Sequence, residues 1–252
     1  MKLAELDFSR PAALQATAPG EVRTGARDKT KLLVSTPRGH HHSRFANLAN
    51  FLDAGDLLVV NRSATLPASL SAEGGIGPFI LNLSTRYSLA RDQEVWLAEP
   101  RWSHAEPGPL PLKAGGTFRV AGLEATFLSP HLTFSRLWFV RFAGDVSAAM
   151  QRFGSPIRYG YLQTPQPLSA YQTLFADTPD TGMGSAEMPS AARPFSERVL
   201  GDLEAKGVEL ARITLHTGVS SLEMDEGDIE DQTLFAEPFE VTQEVAEKVN
   251  ET

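Results

Sequence analysis

Between Pro67 and Gly144 the chain breaks into short segments, FILNL, EVWLAE, GTFRVAG, EATFLS and LWFVRF, several of which alternate apolar and polar residues between glycines and prolines. That texture admits few folds. Alternation at a period of two turns one face of each strand into a core and the other into water, and closely spaced turns bring neighbouring strands together antiparallel. Strands this short shield their unpaired edges by closing into a small barrel or packing as a sandwich.

The flanks read differently. KLLVS at 31–35 and DLLVVN at 56–61 are short apolar runs that suit buried strands. Between them Phe45, Leu48, Phe51 and Leu52 recur at helical spacing and stop at Gly55, so a strand-helix-strand unit is expected. Beyond the β-rich region the helical segments DVSAAMQRFG and FSERVLGDLEAKGV appear, the second placing Val199, Leu200, Leu203 and Val208 on one side, with Ser196 and Glu197 suited to its first turn. The strand ARITLHTG follows, and EVTQEVAEKVNET, with Val241, Val245 and Val249 four apart, reads as a final amphipathic helix. The fold class is therefore mixed α/β. A main domain over 1–66 and 146–252 is interrupted by an inserted small antiparallel β-barrel over 67–145. Because the last helix has no stop signal, the main domain is expected to continue past residue 252.

Composition narrows the function. The formal net charge of -8 argues against a nonspecific polyanion binder. The charge is uneven, however. Residues 22–45 carry Arg23, Arg27, Lys29, Lys31, Arg38 and Arg44 against Asp28 alone, with His40, His41 and His42 among them. From Leu222 onward eleven acidic residues face only Lys248, so an RNA partner would land on the basic segment. A solvated charged face is the other reading. The chain has no cysteine, which excludes disulfides and thiolate chemistry. No apolar run approaches the ~20 residues of a membrane span, and the N-terminus lacks a secretory pattern, so a cytoplasmic protein is expected.

The sequence contains no GxGxxG, P-loop, HExxH or Gly-x-Ser-x-Gly motif. Three consecutive histidines in an extended strand point to alternate faces and cannot converge on one ion, so no metal is expected. His216, at the end of an apolar strand in TLHTG, is either a proton carrier beside a ligand loop or a histidine hydrogen-bonded in the core. The stretch 182–196, GMGSAEMPSAARPFS, is rich in small residues before a helix and leaves room for a ligand against backbone amides, or is a plain surface loop. Glu187 within it is a base, an acceptor for a ribose hydroxyl, or a solvated loop carboxylate.

Seven segments in order resemble one family. They are LDFSRPAALQATAPGEVRTGARDKTKLLV, FANLANFLDAGDLLVVNRSATLPASL, EGGIGPFILNL, VWLAEPRW with the later LKAG, YGYLQTPQPLSAYQTLFA, GSAEMPSAARPFS and ITLHTG. Together they are similar to the S-adenosylmethionine:tRNA ribosyltransferase-isomerases of queuosine synthesis. The resemblance implies transfer and isomerisation of the ribosyl part of S-adenosylmethionine onto a 7-aminomethyl-7-deazaguanine base in tRNA. It implies S-adenosylmethionine and tRNA as partners, with no metal, no further cofactor and no membrane; the oligomeric state stays open.

The resemblance also implies a site. Asn61, Ser63, Ser190, Thr214, His216 and Glu237 keep polar family positions, Thr217 and Gly218 continue the His216 loop, and Glu187 and Arg193 are polar arrivals beside the supposed pocket. His216 and Glu187 are the candidate proton carriers and the others candidate substrate contacts. Several family positions differ. Ala64 and Ser69 stand where the family has arginine, and Tyr161 and Pro194 where it has histidine. Of the later His-x-x-His-x-Glu only Glu237 remains, with Gln232 and Phe235 at the histidine positions. Two rivals follow from these losses: a transferase using S-adenosylmethionine or a related nucleoside on a non-tRNA acceptor, and a catalytically silent binding protein.

Overall fold

A computed structural model describes residues 2–5, 8–9, 11–90, 93–162, 164–177, 183–219, 228, 230 and 236–252. In chain order the helices are α1 (Gly20–Thr24), α2 (Val146–Phe153), α3 (Glu197–Lys206) and α4 (Gln243–Glu251). The strands are β1 (Lys31–Thr36), β2 (Gly39–Arg44), β3 (Leu57–Asn61), β4 (Ser69–Gly74), β5 (Gly77–Ala90), β6 (Gln93–Arg101), β7 (Thr117–Val120), β8 (Leu123–Pro130), β9 (Trp138–Ala143), β10 (Glu209–Leu215) and β11 (Phe239–Glu240). The chain divides into two compact units, one of 1–17, 67–165 and 217–237, the other of 18–66, 166–216 and 238–252.

The first unit contains a closed antiparallel barrel in the order β4-β5-β6-β9-β8-β7. Alternation builds it. Leu70, Leu81, Leu83, Phe118, Phe127, Val140 and Phe142 are buried while intervening residues such as Ser71, Glu73 and Arg141 face water. Inside, the Phe118 and Phe127 rings stack with centroids 4.5 Å apart, and Phe79 meets Phe118 edge-on at 5.3 Å. Helix α2 stays with the barrel and does not join the second unit. Glu94, buried in β6, accepts from the Val146 amide at 3.0 Å and the Trp96 indole at 2.9 Å, while Val146 and Met150 are buried. The compact unit therefore runs to Pro165 and not to 145.

The second unit is built on a parallel pair. Strand β3 runs beside β10 from Leu57↔Glu209 to Asn61↔Ile213, and β11 adds two antiparallel residues to β10. Val60, Val199, Leu203, Val208, Phe175 and Phe195 form its core, with Phe45, Leu48 and Leu52 packed against them. Helix α3 has clear ends: Ser196 Oγ accepts the Val199 amide at 3.3 Å, and Gly207, at φ 85°, closes the last turn in the left-handed region.

Two local expectations are corrected here. KLLVS does not form a buried strand beside β3. Strand β1 pairs antiparallel with β2 as a separate hairpin in which Leu32 and Val34 are half-covered and Leu33 is 58% exposed. The helical pattern of 45–52 forms a 3-10 run, Phe45–Phe51, broken at Asn47, because the stretch is too short to propagate an α-helix. The hairpin and this run replace the strand-helix-strand unit.

The 18–30 segment is tied down by charge. Asp28 is only 6% exposed and accepts from Ser196 Oγ at 2.8 Å and Arg198 at 3.0 Å. The Ser196 hydroxyl holds its carboxyl below the usual aspartate range, burial opposes this, and Arg198 adds to the lowering. A depressed folded pKa contributes stability above the unfolded pKa, and that contribution is lost as pH falls through the folded value. Asp28→Ala is expected to cost about 1–3 kcal/mol near neutral pH. Urea unfolding should show this gap from the parent protein shrinking as the pH is taken below the aspartate range.

Candidate functional site

The parallel strands β3 and β10 end side by side, and their carboxyl ends are where α/β folds place ligands. Asn61, the last residue of β3, joins them. Its Nδ2 donates to the Leu215 carbonyl at 2.8 Å, and its Oδ1 accepts the Leu215 and Ser63 amides, each at 3.0 Å. Beyond it, Ser63 and Thr65 are buried, and Thr65 bridges to Ser185, which brings the 183–186 segment alongside. The approach is close. A Cβ at Gly184 would lie 2.8 Å from the Ala64 carbonyl oxygen and from Leu66 Cγ, so this position needs glycine.

The hydroxyls then meet the imidazole. Ser63 Oγ lies 2.8 Å from His216 Nδ1, and Ser185 Oγ, on a fully buried residue, donates to Ser63 Oγ at 2.8 Å. The His216 amide donates to the Pro238 carbonyl at 2.9 Å, fixing the backbone just past β10. Burial pushes the His216 imidazole below the usual histidine range, and Glu240 pulls weakly the other way. A half-buried, neutral imidazole in a chain of hydroxyls is placed to exchange hydrogen bonds or protons with a ligand.

The remaining candidates are distributed unevenly. Thr214 Oγ1 accepts from Arg62 Nε at 2.9 Å, and Arg62 lies 3.6 Å from Asp177 and 3.7 Å from Glu240. The Arg193 guanidinium grips both Glu21 oxygens, at 2.8 and 2.6 Å, and donates to the Ala170 carbonyl at 2.9 Å. Arg193 thus fastens α1 to the 190–193 turn. Glu187 is half-buried, and Ser190 stands exposed on the 3-10 turn Ser190–Ala192. Thr217, Gly218 and Glu237 belong to the barrel unit, where Glu237 Oε1 accepts the Gly218 amide at 2.7 Å. Gly182, Gln232 and Phe235 lie outside the described residues.

Sequence reading missed Ser185. Its signal was the small-residue stretch itself, in which a serine buried by its glycine neighbour can reach across to the next strand. Among the described residues no group of three histidine or acidic side chains is placed to hold a metal ion. A cavity of about 510 Å³ in the barrel unit is lined by Glu73, Phe118, Arg119, Glu124 and Arg141 among others, and none of the candidate residues lines it. No helix among the described residues is long and apolar enough to cross a membrane.

Comparison with known proteins decides the family. The queuosine biosynthesis protein family matches residues 3–252. The chain belongs to that family. An S-adenosylmethionine:tRNA ribosyltransferase-isomerase from Rubrobacter xylanophilus is 34% identical over 256 residues, which take in 100% of this chain and 70% of that protein. A protein of the same name from Thermus thermophilus is 34% identical over 229 residues, 89% of this chain and 64% of its own length. The chain thus spans about two thirds of these relatives. A crystallised S-adenosylmethionine tRNA ribosyltransferase from Thermotoga maritima aligns over 98% of this chain and 65% of that one at 22% identity and a TM-score of 0.38. That likeness is too loose to bear on side-chain placement.

In this chain the Asn61 carboxamide is the tie on which the His216 group depends. Asn61→Ala removes its bonds to Leu215 and Ser63 together. It is expected to lower stability by about 1–3 kcal/mol in chemical denaturation. Asn61→Asp, which keeps the acceptor but sets a carboxylate oxygen against the Leu215 carbonyl, should be at least as destabilising near neutral pH.

Proposed function

We propose that this chain binds S-adenosylmethionine and acts in the cytoplasm as a tRNA ribosyltransferase-isomerase, moving the ribosyl moiety onto a 7-aminomethyl-7-deazaguanine base. The observation that carries the reading is the family match over residues 3–252, backed by a relative of that name at 34% identity over the whole chain. The sulfonium acidifies the neighbouring carbon and makes methionine a good leaving group. The protein must therefore supply proton carriers, orient the ribose and exclude water. His216 and Glu187 are the proposed proton carriers. Ser63 and Thr214 are proposed to line the site, with Asn61 and Arg193 holding its walls.

The proposed landing surface for tRNA is the basic 22–45 segment, and its internal contacts narrow the reading. Arg27 donates to the Gln172 and Ser169 carbonyls, and Arg23 to the Ala18 carbonyl. On the hairpin, by contrast, Lys31 and Arg38 are exposed with His40 and His42, and Arg44, directly opposite Lys31, is exposed while donating to the Lys29 carbonyl at 2.9 Å. Like charges facing each other across a strand pair repel, and an anionic backbone bridging them relieves the cost.

Incubation with S-adenosylmethionine and tRNA carrying the 7-aminomethyl-7-deazaguanine base should release adenine, and release should depend on the tRNA. Adenine release without tRNA would point to another acceptor, and absence of any heat on titrating S-adenosylmethionine would refute the reading. His216→Ala should slow the reaction by about 10²–10⁴-fold. Lys31→Ala with Arg38→Ala should weaken tRNA binding in a gel-shift titration and flatten its salt dependence by about one unit of slope per lost contact.

A further inference from the structure

Where β6 ends, the barrel unit sets two tyrosine rings beside a fixed guanidinium. Arg101, the last residue of β6, is 6% exposed; its Nη1 donates to the buried Glu99 carboxylate at 3.1 Å and its Nε to the Ser103 carbonyl at 3.4 Å. Its Cζ lies 5.3 Å from the centre of the Tyr159 ring, within cation–π reach. Tyr159 also stacks with Tyr161, with centroids 6.2 Å apart and planes 24° from parallel. Tyr161 is 48% exposed, so the group combines a buried cation with an open aromatic face.

The local chain holds these rings in place. The Leu162 amide donates to the Tyr159 carbonyl at 3.0 Å and folds 159–162 into a turn. A Cβ at Gly160 would lie 3.0 Å from Ala105 Cβ, so glycine lets that turn lie against residues 103–106. Those residues are fixed in turn by Ser103 Oγ, which accepts the Ala105 and Glu106 amides at 3.2 and 3.0 Å. A ring on so firm a base loses little freedom when a partner stacks on it. The surrounding charge is positive on balance. Arg101 and Arg136 share the Glu99 carboxylate, Arg158 stands half-buried beside His104, and against them the same turn offers one more acid, the exposed Glu106. Burial, then Arg158 and Arg101, push the His104 imidazole below the usual histidine range, as a positive field would.

We propose that Tyr161 is a stacking platform for an unpaired base of an RNA strand, set in the positive field of Arg101 and Arg158. That the strand is RNA rests on the tRNA ribosyltransferase reading; the platform rests on the ring geometry. Single-stranded nucleic acids are held by aromatic faces interleaved with positive charge, the faces taking bases and the charge the phosphates. An apolar protein surface would gain nothing from the charge. Because every base has a π face, the contact adds affinity without reading sequence. It belongs to the barrel unit, a different compact unit from that of His216, and so serves to hold the RNA and not to react with it.

Gel-shift titration with tRNA carrying the 7-aminomethyl-7-deazaguanine base tests the platform. Tyr161→Ala is expected to weaken binding about 5–150-fold. The slope of log affinity against log salt should stay as in the parent, because no charge is lost. Tyr161→Trp should bind at least as well as the parent and Tyr161→Leu should not, which separates stacking from plain apolar contact; this pair decides if Tyr161→Ala fails to fold. Unchanged tRNA affinity in a folded Tyr161→Ala protein would overturn the proposal and leave the functional reading intact. Weaker binding of adenosine in calorimetry with tRNA affinity kept would also overturn it, as would a loss of self-association in place of RNA binding. A parent chain that binds the tRNA through Tyr161 and releases no adenine would support the platform and sink the functional reading, and one that binds no tRNA would overturn both.

Discussion

The second compact unit depends on a mutual hydrogen bond between one side chain and one backbone position. Asn61 presents a donor and an acceptor in a single plane, and Leu215 supplies the matching carbonyl and amide. A carboxamide can imitate one more rung of a strand ladder, and here it extends the β3–β10 pairing past the last regular residue. Everything placed at the strand ends inherits that geometry. Ser63 follows Asn61 by two residues and His216 follows Leu215 by one, so neither could keep its partner if the two ends slid apart. Valine or leucine could fill the volume at Asn61 but could not set the register.

The barrel was the most legible part of the sequence, because its alternation is a local signal repeated in strand after strand. The start of α3 was legible for the same reason, with Ser196 lying next to what it caps. The hairpin was not. KLLVS contains consecutive apolar residues, which suggest burial on both faces, yet its true partner is the polar GHHHSR next in line, which no hydropathy pattern singles out. The candidate site was partly readable: His216 was singled out by its place at a strand end and Ser63 by the family resemblance, but Ser185 is a serine in a stretch of small residues, and only a bridge between distant segments brings it to them. Arg193 was read as a substrate contact because it is a polar arrival beside the supposed pocket. Its anion is Glu21, a pairing between residues 172 positions apart.

The basic 22–45 segment shows how charge read along the chain misleads. Folded, Arg27 pairs with Glu21 and donates to the Gln172 and Ser169 carbonyls, and Arg44 donates to the Lys29 carbonyl, while Asp28 is held from outside the segment by Arg198. Asp28 matters beyond its own bonds, since the hydroxyl that donates to it is the one that caps α3. An acceptor on the serine oxygen orients its lone pairs toward the helix amide, so the entry of α3 and the path of the preceding segment are set together.

The parallel partnership of β3 and β10 also orders events in time. Asn61 and Leu215 are 154 residues apart, and the barrel strands all lie between them. Closing so long a loop is entropically unfavourable while the intervening chain is loose and easier once that chain is compact. On the ribosome the barrel can finish, strand by strand, while β3 still waits for the segment that will complete it. Maturation of the His216 group is therefore a late step of synthesis, and a nascent chain halted before residue 209 would hold a finished barrel and an apolar strand with nothing beside it.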